Sequence, residues 1–520
     1  MDEQPLRPEL HELQVRQHVL SDAGRPDAVA KRHGSGRRTA RENLEELLDP
    51  GSWVEYGGFA IAAQRARRSM EELINATQAD GIIAGIGRAN TAVVGEEQAG
   101  CAALSYDYMV LAGSQGMTGH RKTDRMFELI ERMRLPVVLF AEGGGGRPGD
   151  TDHAMVGGLD IMTFSLFARL SGVVPRIGIA GGYCFAGNAA LFGLCDITIA
   201  TEGSSIGMGG PPMIEGGGLG VVSPDDVGPV SMHERTGAID LLARDDTHAT
   251  ELARRALAYF QGRAHDWSCA DQTALRDVVP ENRRRAYEVR RAVELVADTG
   301  SVLELRPRFG RGVVTALARL EGRPVGIIAN NPMHLAGAIT SDVADKSARF
   351  LQLCDAFGLP VLALVDTPGI MVGPDAEKTA LVRHSARLFN VGANLRVPLF
   401  AVILRKGYGL GAMAMTGGSF HAALGTVAWP TGEVGGMNLE GAVRLGLRRE
   451  LAAIEDEDER QRVYEAAVAG AYATGKALSA ATYFEIDDVI DPAETRARAV
   501  ATLFASRGPG PTERRLVDPW

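Results

Sequence analysis

The chain repeats itself at long range, and this constrains its fold more than any single motif does. Lys122 opens KTDRMFELIERMRLPVVLFAEGGGG and Lys346 opens KSARFLQLCDAFGLPVLALVDTPGI, 224 positions later, and the pairs Leu135-Pro136 and Leu359-Pro360 keep that spacing. Between these anchors Met126, Phe127, Ile130 and Met133 align with Phe350, Leu351, Cys354 and Phe357, an apolar stripe of helical period. Each stripe feeds a short apolar run, VVLFA or VLALV, with the length and character of a buried parallel strand. The alignment continues through VVPRIGIAGGYCFAGNAA and RVPLFAVILRKGYGLGAMAM, with Gly187 opposite Gly411, and on to Thr198 opposite Thr426 at a spacing of 228. Such drift belongs in loops, where added residues cost little. Strands alternating with helices, twice over, predict a duplicated α/β domain. A polar helical arm occupies 1–34, a first copy 35–275 and a second 290–520, with a linker near DVVPENRRRAYE, where proline interrupts a charged stretch.

A length of 520 residues exceeds what one core organises. The net charge of −10 argues against nucleic acid as a partner. Five cysteines without a CxxC pair give neither a disulfide framework nor a zinc ribbon, and no HExxH pair suggests a metal. The N-terminal MDEQPLRPELHELQVRQHVL is charged throughout, and no apolar run of about 18 residues occurs. A cytoplasmic protein without a membrane partner or a metal is expected.

Four consecutive glycines, Gly143 to Gly146, follow the first apolar run. Glycine loses more backbone freedom on folding than any other residue, so a run of them is costly to order. A tight turn is the plain reading. Glycine-rich strand ends that recur in both copies favour another, in which bare peptide N–H groups stabilise a developing oxyanion. Competing motifs lack their context. GAYATGKA ends at Ala477 where a phosphate loop needs Ser or Thr, and GSSIG offers Ser205 but is followed by GMGGPP rather than a helix. Glu142 and Asp366, 224 apart, stand at strand ends as potential bases, with loop or helix capping the favoured reading.

Taken in order, GSGRRTARENLEELLDPGSWVE, ADGIIAGIGRA, EGGGGRPGD, SGVVPRIGIAGGYCFAGNAA, ARFLQLCDAFGLPVLALVDTPGI, RHSARLF, ILRKGYGLGAMAM, VAWPTGEVGGMNLEGAV and DDVIDPAETR resemble the carboxyltransferase (β) subunits of biotin-dependent acyl-CoA carboxylases. The resemblance spans nearly the whole chain. It implies two tandem crotonase-like β-β-α superhelix domains, the first seating acyl-CoA and the second biotin. It also implies carboxyl transfer from carboxybiotin to the acyl α-carbon through an enolate, with the biotin ring nitrogen as base. Carried over by position, the amides of Gly144 and Gly145 form one oxyanion hole, with Gly143, Gly146, Ala186 and Gly187 beside it. The amides of Leu410 and Gly411 form the other, with Tyr408, Gly409 and Gly369 on the biotin side. Biotin carboxylase and the biotin carboxyl carrier must come from partners, and a homo-oligomer, a hexamer in the family, is implied. The sequence departs from the family where SGGAR reads GGGGR, where CAGG reads CFAG with Phe185, and where Met413 replaces the aspartate of several propionyl-type enzymes. A flexible thioether there suits a different or larger acyl pocket. Alternatives are the same machinery as a decarboxylase or transcarboxylase, a biotin-independent hydratase or thioesterase using Glu142 or Asp366, and a non-catalytic CoA-binding scaffold.

Overall fold

A computed structural model of the chain describes residues 7–152, 157–505 and 514–520. Two compact units meet in sequence between Gly262 and Arg263. In chain order the first unit carries β1 (Val54–Glu55), β2 (Ile82–Arg88), β3 (Gly100–Tyr106), β4 (Val137–Phe140), β5 (Arg176–Ala180), β6 (Tyr183–Phe185), β7 (Ile197–Thr201), β8 (Ser205–Gly207) and β9 (Leu241–Ala243). The second carries β10 (Leu303–Leu305), β11 (Val313–Leu320), β12 (Arg323–Asn330), β13 (Val361–Thr367), β14 (Leu399–Tyr408), β15 (Gly425–Ala428), β16 (Glu433–Gly435) and β17 (Asp488–Val489). The main sheets run β1-β2-β3-β4-β5-β7-β9 and β10-β11-β12-β13-β14-β15-β17. Each enters through antiparallel strands, β2 with β3 or β11 with β12, and continues in parallel. The duplication is therefore one of topology as well as of sequence.

Local chemistry explains the elements. β11 and β12 are joined by Glu321 (φ 53°) and Gly322 (φ 75°), a two-residue turn with both central residues at positive φ, which matches the twist of a hairpin. All seven residues of β13 are buried, as an apolar run covered on both faces requires. On the helix Met117–Met133, Met126, Phe127 and Ile130 enter the core with Ile82, Leu104 and Leu139. Each such burial contributes about 1.5–3 kcal/mol. Met133, the fourth member of the stripe, lies in the last turn and is 48% exposed. The TAREN segment forms a capping box: Thr39 Oγ1 accepts from Glu42 N (3.1 Å), and Glu42 accepts from Thr39 N (2.7 Å).

One boundary differs from the sequence reading. Residues 263–275 belong to the second unit, because Ala264 N–H donates to Gly322 O (2.9 Å) and Thr299 N–H to Ser268 O (2.8 Å). The polar helical arm is fastened to the first unit. Its described part forms the helices Pro8–Leu20 and Pro26–Gly34, while residues 1–6 lie outside the described residues. Arg25 pairs with buried Asp107 at 2.6 Å, and Arg32 pairs with Glu142. The lysines that anchor the repeat are structural: Lys346 Nζ donates to the carbonyls of Arg306, Phe309 and Val313 at 2.8, 3.0 and 2.9 Å, and Lys122 Nζ donates to Ile82 O. Burial pulls the Lys122 ammonium down to about 8.

Candidate active site

β4 delivers the four glycines to a crowded place. Gly143 N–H donates to Tyr183 O (2.8 Å), Gly144 N–H to Ala112 O (3.2 Å) and Gly145 N–H to Asn188 Oδ1 (2.9 Å). The oxyanion role expected of the Gly144 and Gly145 amides is therefore withdrawn, since both donors are already used within the fold. What the loop needs from glycine is close approach. A Cβ on Gly143 would lie 2.2 Å from Gly113 O, and one on Gly145, at φ +88°, would lie 2.6 Å from Ala186 Cβ. Gly144 has nothing nearer than 3.8 Å, and Gly146 opens onto free space.

The open amides of this unit begin one strand later. Ala186 N–H donates to Gly207 O (2.9 Å), so it too is spent. Ala186 itself holds φ 50°, ψ −119°, a conformation suited to glycine, and this turn starts the helix Gly187–Gly193. Among the described residues, no acceptor meets the N–H groups of Gly187 and Asn188.

The second unit repeats the arrangement with its register shifted by one residue. Val137 pairs with Arg176 across β4 and β5, and Val361 with Leu399 across β13 and β14. The spacing that is 224 in β4 becomes 223 in β5, so Gly187 corresponds to Leu410 and Asn188 to Gly411, not Gly187 to Gly411. The positive-φ residue before the open amides is Ala186 in one unit and Gly409 (φ 56°) in the other. The N–H groups of Leu410 and Gly411 likewise have no acceptor among the described residues. A Cβ on Gly411 would fall 2.5 Å from the carbonyl carbon of Gly369, whose φ is +122°. Tyr408 is buried, and its hydroxyl donates to Glu433 (2.8 Å), fixing the strand end that precedes the turn. Met413 and Gly409 line an open cleft of about 980 Å³ together with Phe420, Leu439, Tyr483 and Phe484.

Glu142 and Asp366 cap no helix. Arg32 Nη1 donates to Glu142 Oε1 at 3.0 Å, and Arg405 pairs with Asp366 at 3.1 Å, with Lys406 at 3.5 Å. Burial pushes the Glu142 carboxyl upward against the pull of Arg32. Each carboxylate is held by an ion pair, which is a poor starting point for a general base on water. Ser205 is buried, and its Oγ accepts from Gly228 N (3.1 Å), which leaves no elbow for a nucleophile. Cys184 is fully buried, and burial drives its thiol far above the ordinary range. In GAYATGKA the first residues finish the helix Glu457–Thr474. Among the described residues no cluster of three metal-ligating side chains occurs, and no helix is long and apolar enough to cross a membrane.

Three supporting residues were not singled out from sequence. Asn188 bridges Gly145 N and Gly113 O (3.3 Å). Arg147 Nη1 reaches Asp80 (2.6 Å) and Asp150 (3.2 Å) and so pins the far end of the glycine loop. Gln115 exchanges main-chain bonds with that loop. One signal was available: LAG occurs at 111–113 and again at 335–337, 224 apart, and both triplets form the same positive-φ turn.

A family model described as the carboxyl transferase domain matches residues 31–507. The chain belongs to the carboxyl transferase family. This carboxyltransferase is 32% identical to the methylmalonyl-CoA carboxyltransferase 12S subunit of Propionibacterium freudenreichii subsp. shermanii over 95% of its own length and 93% of that protein's. It is 32% identical to the propionyl-CoA carboxylase beta chain of Saccharopolyspora erythraea, over 97% and 94%. Among solved structures, the transcarboxylase 12S hexamer with methylmalonyl-CoA and methylmalonic acid bound superposes with a TM-score of 0.84 at 30% identity, over 99% and 98% of the two chains. A single-chain, multi-domain long-chain acyl-CoA carboxylase superposes with a TM-score of 0.91 at 58% identity; the match covers 96% of this carboxyltransferase and 49% of that chain, about half. The fold is the tandem crotonase-like α/β architecture expected, and biotin-dependent carboxyl transfer to an acyl-CoA is the activity of the carboxyltransferase.

Proposed function

We propose that this carboxyltransferase takes the carboxyl group from carboxybiotin, presented by a partner's carrier domain, and places it on the α-carbon of a long-chain acyl-CoA. The observation that carries this reading is the pair of open-amide turns, one in each unit. In this reading the Gly187 and Asn188 amides receive the thioester oxygen as the enolate forms, and the Leu410 and Gly411 amides receive the ureido oxygen of biotin. Each developing charge meets oriented donors, and one such donor typically contributes about 2.7–4 kcal/mol of transition-state stabilisation. The proton acceptor is the substrate's own ring nitrogen, because Glu142 and Asp366 are bound in ion pairs.

The long chain is supported by the 58% identity to the long-chain carboxylase. A homo-oligomer is supported by the 12S hexamer, and the proposed reaction requires biotin carboxylase and a biotin carrier as partners. Cys101, Cys184, Cys195 and Cys354 are buried free thiols, which suits a reducing cytoplasm. The 12S relative favours a second reading, in which the carboxyl group is exchanged between two acyl acceptors without bicarbonate. The test is reconstitution with biotin carboxylase and biotinylated carrier, following labelled bicarbonate into acyl-CoAs of increasing length. ATP- and biotin-dependent labelling that rises with chain length is expected. Labelling only from a carboxylated acyl donor supports exchange, and hydrolysis or hydration without biotin removes both readings.

A further inference from the structure

Gln115 is 5% exposed and lies on the loop that the glycine segment pairs with. Its main chain is fixed at both ends: Gln115 N–H donates to Gly145 O (2.7 Å), and Gln115 O accepts from Arg147 N (2.9 Å). Its side chain is aimed at the open-amide turn of the first unit. A Cβ on Gly187 would sit 2.0 Å from Gln115 Oε1 and 2.9 Å from its Cδ, so the carboxamide lies against the Gly187 backbone. Nε2 donates to the Tyr106 hydroxyl at 3.0 Å, and among the described residues Oε1 has no hydrogen-bond donor.

This orientation leaves two groups unused. No described residue accepts the hydrogen of the buried Tyr106 hydroxyl, and burial keeps that phenol protonated by raising its pKa. Turning the carboxamide by 180° exchanges O for N at little steric cost. Tyr106 then donates to Oε1, and an N–H of Nε2 points to the place beside Gly187 where Oε1 stood. Without an anion the oxygen meets no charge at that point; beside a developing oxyanion it is repulsive, and the turned form is favoured.

We propose that Gln115 is a side-chain donor to the oxyanion in the first unit, its carboxamide turning on Tyr106 so that Nε2 joins the Gly187 and Asn188 amides as the enolate forms. This rests on the assignment of the thioester oxygen to that turn. The second unit has no equivalent, because the matching position is Ile339 and the residue in place of Gly187 is Leu410. The donor therefore distinguishes the acyl-CoA side from the biotin side.

The test uses the carboxyltransferase reconstituted with its biotin carboxylase and carrier. Gln115→Leu is expected to lower kcat on the order of 10²-fold while KM holds, with only the modest fall in melting temperature that an unpartnered Tyr106 hydroxyl brings. Gln115→Glu places a carboxylate at the same point and is expected to lose more at pH 8. It should recover toward pH 6, as that carboxyl takes up a proton and becomes a donor. Tyr106, Cys184, Asp80, Asp124 and Arg147 lie around the site in variant and wild type alike, so the difference between their pH profiles isolates position 115. Wild-type kcat in Gln115→Leu overturns the proposal, and so does a parallel fall of both variants with the wild-type pH profile, which marks a packing role. If the wild type carboxylates no acyl-CoA, the functional reading falls and this inference with it; an active wild type beside an unimpaired Gln115→Leu removes the inference alone.

Discussion

Gln115 and Ile339 hold the two strand-end loops by the same pair of main-chain bonds: Gln115 N to Gly145 O and Arg147 N to Gln115 O in one unit, Ile339 N to Gly369 O (3.0 Å) and Met371 N to Ile339 O (2.9 Å) in the other. Beyond that pair the fastenings diverge. In the first unit Asn188 serves the Gly145 amide and the Gly113 carbonyl, and Arg147 sits between Asp80 and Asp150. In the second, Thr367 Oγ1 receives Gly369 N (3.2 Å), while Asn330 joins Gly337 O (3.4 Å) to Asp366 N (3.2 Å). The position of Arg147 is taken by Met371, which makes no ion pair. A buried peptide group needs a partner of the right polarity, not a particular side chain. Duplication has therefore kept the main-chain shape that opens the amides while the side chains supporting it have changed.

The comparison breaks most directly at the glycines. Gly411→Val forces a Cβ to 2.5 Å from the Gly369 carbonyl carbon, and Gly145→Val combines a 2.6 Å contact with a φ of +88°. Both are expected to cost about 3 kcal/mol of stability. Both are also expected to reduce turnover on the order of 10²-fold or more, because the open amides move. Gly144→Ala and Gly146→Ala meet no such contact and should change stability by about 0.5 kcal/mol or less. Thermal unfolding alongside kcat for the four variants checks this; a Gly144→Ala as damaging as Gly145→Val would end the distinction between shaping and spacer glycines.

A next effect separates the two buried carboxylates. Glu142 depends on Arg32, contributed by the helix Pro26–Gly34, whereas Asp366 is shared by Arg405 and Lys406 from the neighbouring strand. Arg32→Gln leaves Glu142 without its ion-pair partner and is expected to cost about 3 kcal/mol. Lys406→Met leaves Arg405 in place and should cost about 1 kcal/mol. Denaturant midpoints at constant slope measure the difference, and equal costs would mean that the nearby Arg37 charge alone suffices for the first carboxylate.

Topology and strand order were legible because the repeat doubled every signal: one apolar stripe is weak evidence, but two at fixed spacing are strong. Three particulars were not. The one-residue slip at β5 hid behind glycines, which match one another at either register; Pro175 and Pro398, 223 apart, mark it. The use of the Gly144 and Gly145 amides by Ala112 O and Asn188 Oδ1 depends on contacts more than 30 residues away in the chain, which no local pattern encodes. The role of Glu142 in an ion pair depends on Arg32, 110 positions earlier.

The same comparison extends to pH. His120, on the helix Met117–Met133, is buried with Nδ1 2.9 Å from Thr163 Oγ1, and the equivalent position in the second unit is fully buried Ala344. Burial, with the nearby Arg147 charge, lowers the His120 pKa from its ordinary 6.5 to about 4. The imidazole is then neutral in the folded protein and protonated in the unfolded chain below pH 6.5. Its contribution to stability is complete above pH 6.5 and is lost as pH falls toward 4, by about 3 kcal/mol at most. Hydrogen exchange should show the first unit weakening across that window more than the second. His120→Asn should flatten the slope; a slope unchanged in this variant assigns the titration to another group.

The smallest expected effect concerns the turn that opens each amide site. Gly409 holds φ 56° with no Cβ to strain, but its counterpart Ala186 holds φ 50°, ψ −119° with one. An alanine there carries backbone strain that glycine relieves, offset by the greater freedom glycine has in the unfolded chain. Ala186→Gly is expected to gain about 1 kcal/mol, seen as a rise in melting temperature. The reciprocal Gly409→Ala puts a Cβ 2.8 Å from Gly436 O and should lose more than that. The sign of the first change decides its meaning. If Ala186→Gly stabilises and kcat is unchanged, the strain is incidental. If it stabilises but kcat falls, the methyl group is holding the Gly187 amide in its working orientation, and the first unit achieves by strain what the second achieves with glycine.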